Sequence, residues 1–101
     1  MEREEETTLL DALACEIAAR PAGAPTFSDL LPFRREVKAE NGEVVIAFGP
    51  QQATSVEAFA AAERLCCPDL DWIVETSDPV RLRIRGTEAQ VALLEQVWRD
   101  A

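Results

Sequence analysis

The dipeptide Asn41-Gly42 constrains the fold of this chain more than any other feature of its sequence. Both residues tolerate positive φ, which the two-residue type I′ turn of a β-hairpin requires. The flanking residues alternate between apolar and polar, and the turn and the alternation give the same register. We therefore predict strands at about 33–40 and 43–49. The register pairs Ala39 with Val44, Val37 with Ile46 and Arg35 with Phe48, and it places Arg34, Glu36, Lys38 and Glu40 on the polar face.

A helix is predicted after this hairpin. Thr54, with Glu57 three residues later, has the form of a capping box, and Pro68 ends the helix. The predicted buried side of the helix consists of Val56, Phe59, Ala62, Leu65 and Cys66.

The last third of the chain repeats this order of elements. Residues 72–75 and 80–85 are predicted strands around a turn at 76–79, and the second of them alternates strictly. Thr87 and Gln90 form a second capping-box pattern ahead of a final helix. The order ββαββα predicts a fold of the α+β class: a two-layer sandwich in which both helices cover one face of a four-stranded antiparallel sheet. An N-terminal segment precedes this unit.

We expect the 101 residues to form a single domain, 1–101, with the ββαββα unit at 33–101. Residues 1–6 are predicted to be an acidic tail, and 7–19 a helix, with a short strand at 13–17 as the alternative. This N-terminus is acidic and lacks the apolar stretch of a secretory signal, so we predict a cytoplasmic protein. The net charge of −9 argues against nucleic acid and against an anionic membrane surface as partners.

The chain contains no histidine, which excludes histidine-based triads and histidine metal ligands. It contains three cysteines, Cys15, Cys66 and Cys67, an odd number that does not favour a disulfide framework. Buried thiols, a metal site and a redox site remain as the alternatives.

A helix that ends at Cys66-Cys67 brings two thiols close to Glu63, which lies three and four residues before them. Buried cysteines in a core would explain the pair without any ligand. Thiolates with a carboxylate are also a ligand set for soft metal ions. The negative end of the helix dipole disfavours an uncompensated thiolate, which argues against a nucleophilic cysteine but not against a bound cation. A disulfide between the two adjacent cysteines would be strained.

Other polar groups have simpler interpretations. Arg81, Arg83 and Arg85 form a row on one strand face, which we expect to be solvated and paired with Glu36, Glu40 or Glu75 across strands. The two tryptophans, Trp72 and Trp98, are predicted to anchor the core or an interface.

The run Glu63-Arg64-Leu65-Cys66-Cys67-Pro68 resembles the motif of a family of small, mostly uncharacterised bacterial proteins. The motif is Glu-x-x-Cys-Cys followed by Pro or Ala, at the end of a helix between two hairpins. The pair Ala14-Cys15 is similar to a second feature of that family. Its members are often encoded near regulators of mercury or other heavy-metal resistance, so the resemblance implies binding or sensing of a thiophilic ion.

The predicted function is therefore a non-enzymatic, thiol-based binding protein for a soft metal or metalloid ion. Cys66 and Cys67 would be ligands, Cys15 a third ligand, and Glu63 a ligand or a neighbour of the ligands. Three thiolates fit mercury or arsenic, whereas three sulfurs with a carboxylate fit zinc. The alternative is a small interaction domain that forms a homodimer and buries its cysteines for structural reasons. An enzyme ranks third, because the sequence shows no base beside a nucleophile.

Overall fold

The computed structural model describes residues 21–100. The predicted acidic tail, the predicted helix at 7–19 and Cys15 lie outside the described residues. The described elements, in chain order, are helix α1 (Phe27–Leu30), a 3₁₀ turn (Leu31–Phe33), strands β1 (Arg34–Glu40) and β2 (Glu43–Phe48), a second 3₁₀ turn (Pro50–Gln52), helix α2 (Ala53–Cys66), strands β3 (Asp71–Glu75) and β4 (Val80–Arg85), and helix α3 (Glu88–Asp100).

The four strands form one antiparallel sheet in the order β1-β2-β4-β3. The hairpin β1–β2 turns at Asn41 and Gly42, whose φ angles are 49° and 78°. Ala39 lies opposite Val44 and Val37 opposite Ile46, which confirms the register derived from the turn.

The predicted pairing of Arg35 with Phe48 is wrong. A bulge between Arg34 and Glu36 shifts the register, so that Arg34 pairs with Phe48 instead. The bulge inserts one extra residue, and this moves Arg34 from the predicted polar face to the face that carries Phe48. Bulges are frequent on edge strands, where they interrupt the row of open hydrogen-bonding groups.

Helices α2 and α3 cover the same face of the sheet, as predicted, and the core lies between these two layers. Trp98 of α3 makes edge-to-face contacts with Phe48 of β2 and Phe59 of α2, at ring-centroid distances of 6.1 Å in both cases. A third contact joins Phe59 to Trp72 of β3 at 6.0 Å. Both tryptophans are buried, so their predicted role in the core is confirmed. The structure is an α+β sandwich.

Two predicted details of helix α2 are wrong. The capping box at Thr54 does not start the helix, because Pro50 initiates a 3₁₀ turn that runs directly into Ala53 and leaves Thr54 as the second helical residue. Leu65 was placed on the buried side, but it is 58% exposed. At 100° per residue it points away from the direction shared by Phe59 and Cys66.

The second predicted capping box, at the start of α3, is confirmed. The Thr87 N–H donates to Gln90 Oε1 at 2.9 Å, and the Gln90 N–H donates to Thr87 Oγ1 at 3.2 Å.

Candidate metal centre

The last turn of α2 brings Glu63, Cys66 and Cys67 together. A carboxylate oxygen of Glu63 and the two Sγ atoms all lie within 4.8 Å of one another. The Cys67 Sγ is 3.5 Å from Glu63 Oε2 and 3.7 Å from the Cys66 Sγ. This grouping confirms the convergence predicted from the spacing, and it is close enough to hold a metal ion.

Helix geometry explains the convergence. Residues three and four apart lie on the same side of a helix, so Glu63 projects between the directions of Cys66 and Cys67. Cys66 is the last residue of α2, and Cys67 is its C-cap, with φ −126° and ψ 70°. The Cys67 N–H still donates to the Glu63 carbonyl at 2.6 Å, which keeps this last turn closed.

The backbone of Cys67 is held from the other side by the chain that follows it. Its carbonyl oxygen accepts two hydrogen bonds, from the Leu70 N–H at 3.3 Å and from Trp72 Nε1 at 3.1 Å. Trp72 is buried against Phe59, so the indole donor is itself fixed by packing. The position of Cys67 is therefore set by strand β3 as well as by helix α2.

Arg64 ties the same strand to the helix. Its Nε and one terminal nitrogen donate to the Trp72 carbonyl at 3.0 and 2.6 Å. The guanidinium is thus engaged with the backbone of β3, in a role that the sequence did not predict. The hydrogen bonds made by Trp72 and Arg64 require β3 to pack beside α2, and residue spacing in the sequence does not reveal this packing.

The two sulfurs are deeply buried and the carboxylate is not. Cys66 and Cys67 are 2% and 1% exposed, whereas Glu63 is half-buried. Glu63 is therefore the member of the group that connects it to solvent.

The two cysteines differ in chemical state. Cys66 is a buried thiol, whereas Cys67 is disulfide-bonded. The strained disulfide between the adjacent cysteines is therefore not formed. A disulfide sulfur has no proton to donate, so in the contact between the two Sγ atoms only the Cys66 thiol can be the donor. Cys67 can become a thiolate ligand only after its disulfide is reduced.

Cys15, the third predicted ligand, lies outside the described residues. Its contribution to the site remains a prediction.

Two members of the arginine row, Arg83 and Arg85, belong to a separate, structural network on the sheet face that points away from helices α2 and α3. Arg83 bonds Glu75 and Glu43, each at 2.6 Å, and Arg85 bonds Glu43 at 3.0 Å. Of the expected partners Glu36, Glu40 and Glu75, the pairing with Glu75 is confirmed, and Glu43 is a partner that was not predicted from the sequence. The hydrogen bond from Arg85, together with that from Arg83, lowers the pKa of Glu43 against the opposing effect of burial.

Comparisons with family models, with curated proteins and with solved structures find no match for this chain. Among the described residues 21–100, none of the helices has the length and apolar character needed to cross a membrane.

Proposed function

We propose that this protein binds a soft metal or metalloid ion through Cys66, Cys67 and Glu63, and that it does so without catalysing a reaction. The observation that carries the proposal is the convergence of two sulfurs and a carboxylate oxygen within 4.8 Å at one helix end. Thiolates prefer soft ions, and a carboxylate is an accepted additional ligand for zinc.

The place of the thiols in the helix favours a bound cation over a reactive cysteine. The C-terminal end of a helix carries partial negative charge, which opposes the formation of a thiolate. Catalytic thiolates are usually stabilised by a helix N-terminus or by a nearby cation. Arg64, the cation next to Glu63 in sequence, is engaged with the Trp72 carbonyl. A bound metal ion would itself supply the compensating charge.

The donor set limits the choice of ion. Two thiolates suffice for a linear mercury site, whereas zinc favours four ligands and would need one more in addition to Glu63. Cys15 would provide a third sulfur for mercury, arsenic or zinc, as the sequence analysis predicts. The resemblance to proteins encoded near heavy-metal regulators supports mercury as the first ion to test.

The test is a titration of the fully reduced, full-length protein with mercury(II), arsenite and zinc, followed by thermal melting. One ion per chain should bind, release protons from the ligating thiols, and raise the melting temperature, because an ion that binds only the folded state stabilises it. Mercury binds any exposed thiol. The stoichiometry and the stabilisation of the fold therefore decide the outcome.

Three variants sharpen the titration. Cys66→Ser and Cys67→Ser should each remove most of the stabilisation by the ion, and Glu63→Gln should reduce it. Glu57→Gln is the matched control, because Glu57 is an exposed glutamate on the same helix, two turns before the site. If all three ions leave the melting temperature unchanged, the proposal fails.

The burial of the cysteines favours a second candidate, a small interaction domain that forms a homodimer and uses Cys66 and Cys67 only as core residues. Exposures of 2% and 1% are typical of cysteines that pack without a ligand. This candidate predicts a dimer in sedimentation equilibrium and equal melting temperatures with and without each ion. A monomer that is stabilised by one ion per chain would exclude it.

A further inference from the structure

The spacing of the donor atoms in the proposed centre restricts the coordination geometry of its ion. The Sγ atoms of Cys66 and Cys67 lie 3.7 Å apart, and the Cys67 Sγ lies 3.5 Å from Glu63 Oε2. The third separation, between the Cys66 sulfur and the carboxylate, is within 4.8 Å. Each coordination geometry requires its own separations between ligand atoms, so these distances can be compared with what each candidate ion needs.

A tetrahedral zinc ion requires separations close to the observed ones. Zinc–sulfur bonds of about 2.3 Å at tetrahedral angles put two sulfurs about 3.8 Å apart. With a zinc–oxygen bond of roughly 2.0–2.2 Å, a sulfur and a carboxylate oxygen lie about 3.5–3.7 Å apart. Two of the three observed separations, 3.7 and 3.5 Å, therefore already match a tetrahedral ion. The third can adjust through rotation of the Glu63 side chain, which is only half-buried.

A linear ion does not fit this spacing. Two sulfurs on opposite sides of one ion, with bonds of the same length of about 2.3 Å, would lie about 4.6 Å apart. The sulfurs of Cys66 and Cys67 are 3.7 Å apart and 2% and 1% exposed, so they would have to separate inside a close-packed core that resists such a displacement. A linear ion also leaves the Glu63 carboxylate outside its ligand set.

We infer that the ion of this centre is a tetrahedral divalent cation of the zinc type, held in the reduced protein by Cys66, Cys67 and Glu63, and not a linear two-coordinate ion such as mercury(II). This inference rests on the proposed function and narrows its choice of ion. The kinds of donor agree with the spacing, because zinc accepts thiolate and carboxylate ligands together. Three of the four tetrahedral positions are thereby assigned within residues 21–100.

The backbone contacts that set this spacing remain when Cys67 is reduced. The Cys67 N–H donates to the Glu63 carbonyl in the last turn of α2, and the Cys67 carbonyl accepts from Trp72 Nε1. None of these bonds involves a sulfur. A centre whose donors are held in place before the ion arrives has less freedom to lose on binding, which favours the ion whose geometry it matches.

Cobalt(II) is the probe, because it occupies tetrahedral zinc sites and its visible d–d bands are strong in tetrahedral and weak in octahedral coordination. The full-length protein is reduced with dithiothreitol, freed of it under anaerobic conditions and titrated with cobalt. One cobalt per chain should produce strong d–d bands and a thiolate-to-cobalt charge-transfer band in the near ultraviolet. Zinc should then displace the cobalt and bleach both sets of bands.

Variants test each assigned donor. Glu63→Gln should weaken cobalt binding by at least the roughly 10–100-fold that follows loss of a group that orients a ligand. The matched control is Glu57→Gln, an exposed position on the same helix, which should leave the affinity and the spectrum unchanged. Cys66→Ser and Cys67→Ser should each lower the charge-transfer absorption per bound cobalt. Circular dichroism of each metal-free variant checks that the fold is retained.

The outcomes separate this inference from the proposed function. Weak octahedral d–d bands, or an affinity and spectrum that Glu63→Gln leaves unchanged, would overturn the tetrahedral centre. So would failure of cobalt and zinc to bind while one mercury per chain binds and raises the melting temperature, a result that leaves the proposed function in place. Failure of cobalt, zinc, mercury and arsenite alike to bind the reduced protein would instead overturn the proposed function.

Discussion

Replacement of Trp72 by phenylalanine tests whether strand β3 positions the second cysteine. The indole Nε1 of Trp72 donates to the Cys67 carbonyl at 3.1 Å, and this bond is buried. Phenylalanine keeps an aromatic ring beside Phe59 but cannot donate. The Cys67 carbonyl would retain one of its two hydrogen bonds, the longer one from the Leu70 N–H at 3.3 Å.

The expected cost has two parts. Loss of one neutral hydrogen bond costs about 0.5–1.5 kcal/mol. Loss of ring volume in the core costs roughly 1–2 kcal/mol more. Trp98→Phe shares the second part, because Trp98 is 1% exposed and packs against Phe27, Phe48 and Phe59. The two variants should therefore differ by about 1 kcal/mol, which corresponds to roughly 4–8 °C in melting temperature for a domain of this size.

The decisive assay is ion affinity, measured on both reduced variants by chelator competition. A hydrogen-bonding partner that orients a ligand is worth about 10–100-fold in affinity. Trp72→Phe should therefore weaken binding by about 10-fold or more, while Trp98→Phe leaves it unchanged. Equal affinities for the two variants would refute the claim that Trp72 holds Cys67 in its binding geometry.

Three further predictions concern the rest of the molecule. Gly42→Val should lower the free energy of unfolding by about 1–3 kcal/mol, because Gly42 has a φ of 78° and a β-branched residue is strained at positive φ. Denaturant melts measure this change, and an unchanged midpoint would contradict the turn assignment. Glu43→Gln should lower the melting temperature at pH 7. The pKa of Glu43 is lowered in the folded state, so its carboxylate stabilises the fold above the ordinary value of 4.5, and this stabilisation is lost progressively as the pH falls below that value. The melting temperatures of the variant and the wild type should therefore converge at low pH. A difference that persists at low pH would contradict the assigned role of the arginines. Duplex DNA should show no binding at physiological salt in a gel-shift assay, because the net charge is −9 and Arg83 and Arg85 are paired with carboxylates; sub-micromolar affinity with a steep salt dependence would contradict this.

Local signals predicted much of the fold. Asn41-Gly42 set the hairpin and most of its register, and Thr87 with Gln90 marked the start of α3 correctly. The errors arose where a neighbouring element overrides a local pattern. The 3₁₀ turn at Pro50 displaced the predicted cap at Thr54, and a one-residue bulge changed the partner of Phe48.

The candidate site was predictable only in part, for a related reason. Glu63, Cys66 and Cys67 converge because of helical spacing, which a sequence displays directly. The groups that hold them, Trp72 and Arg64, act through contacts between α2 and β3, and these depend on tertiary structure. The disulfide of Cys67 was not expected from an odd number of cysteines.

The most direct test of the central claim is X-ray absorption spectroscopy at the metal edge of the reduced protein loaded with one equivalent of zinc. A site built from Cys66, Cys67 and Glu63 predicts zinc–sulfur distances of about 2.3 Å from at least two sulfurs, together with a lighter ligand at roughly 2.0–2.2 Å. The sulfur contribution should fall by one in Cys66→Ser and in Cys67→Ser. A spectrum with only oxygen ligands, or a sulfur count that neither substitution changes, would contradict the assignment of this helix end as a metal centre.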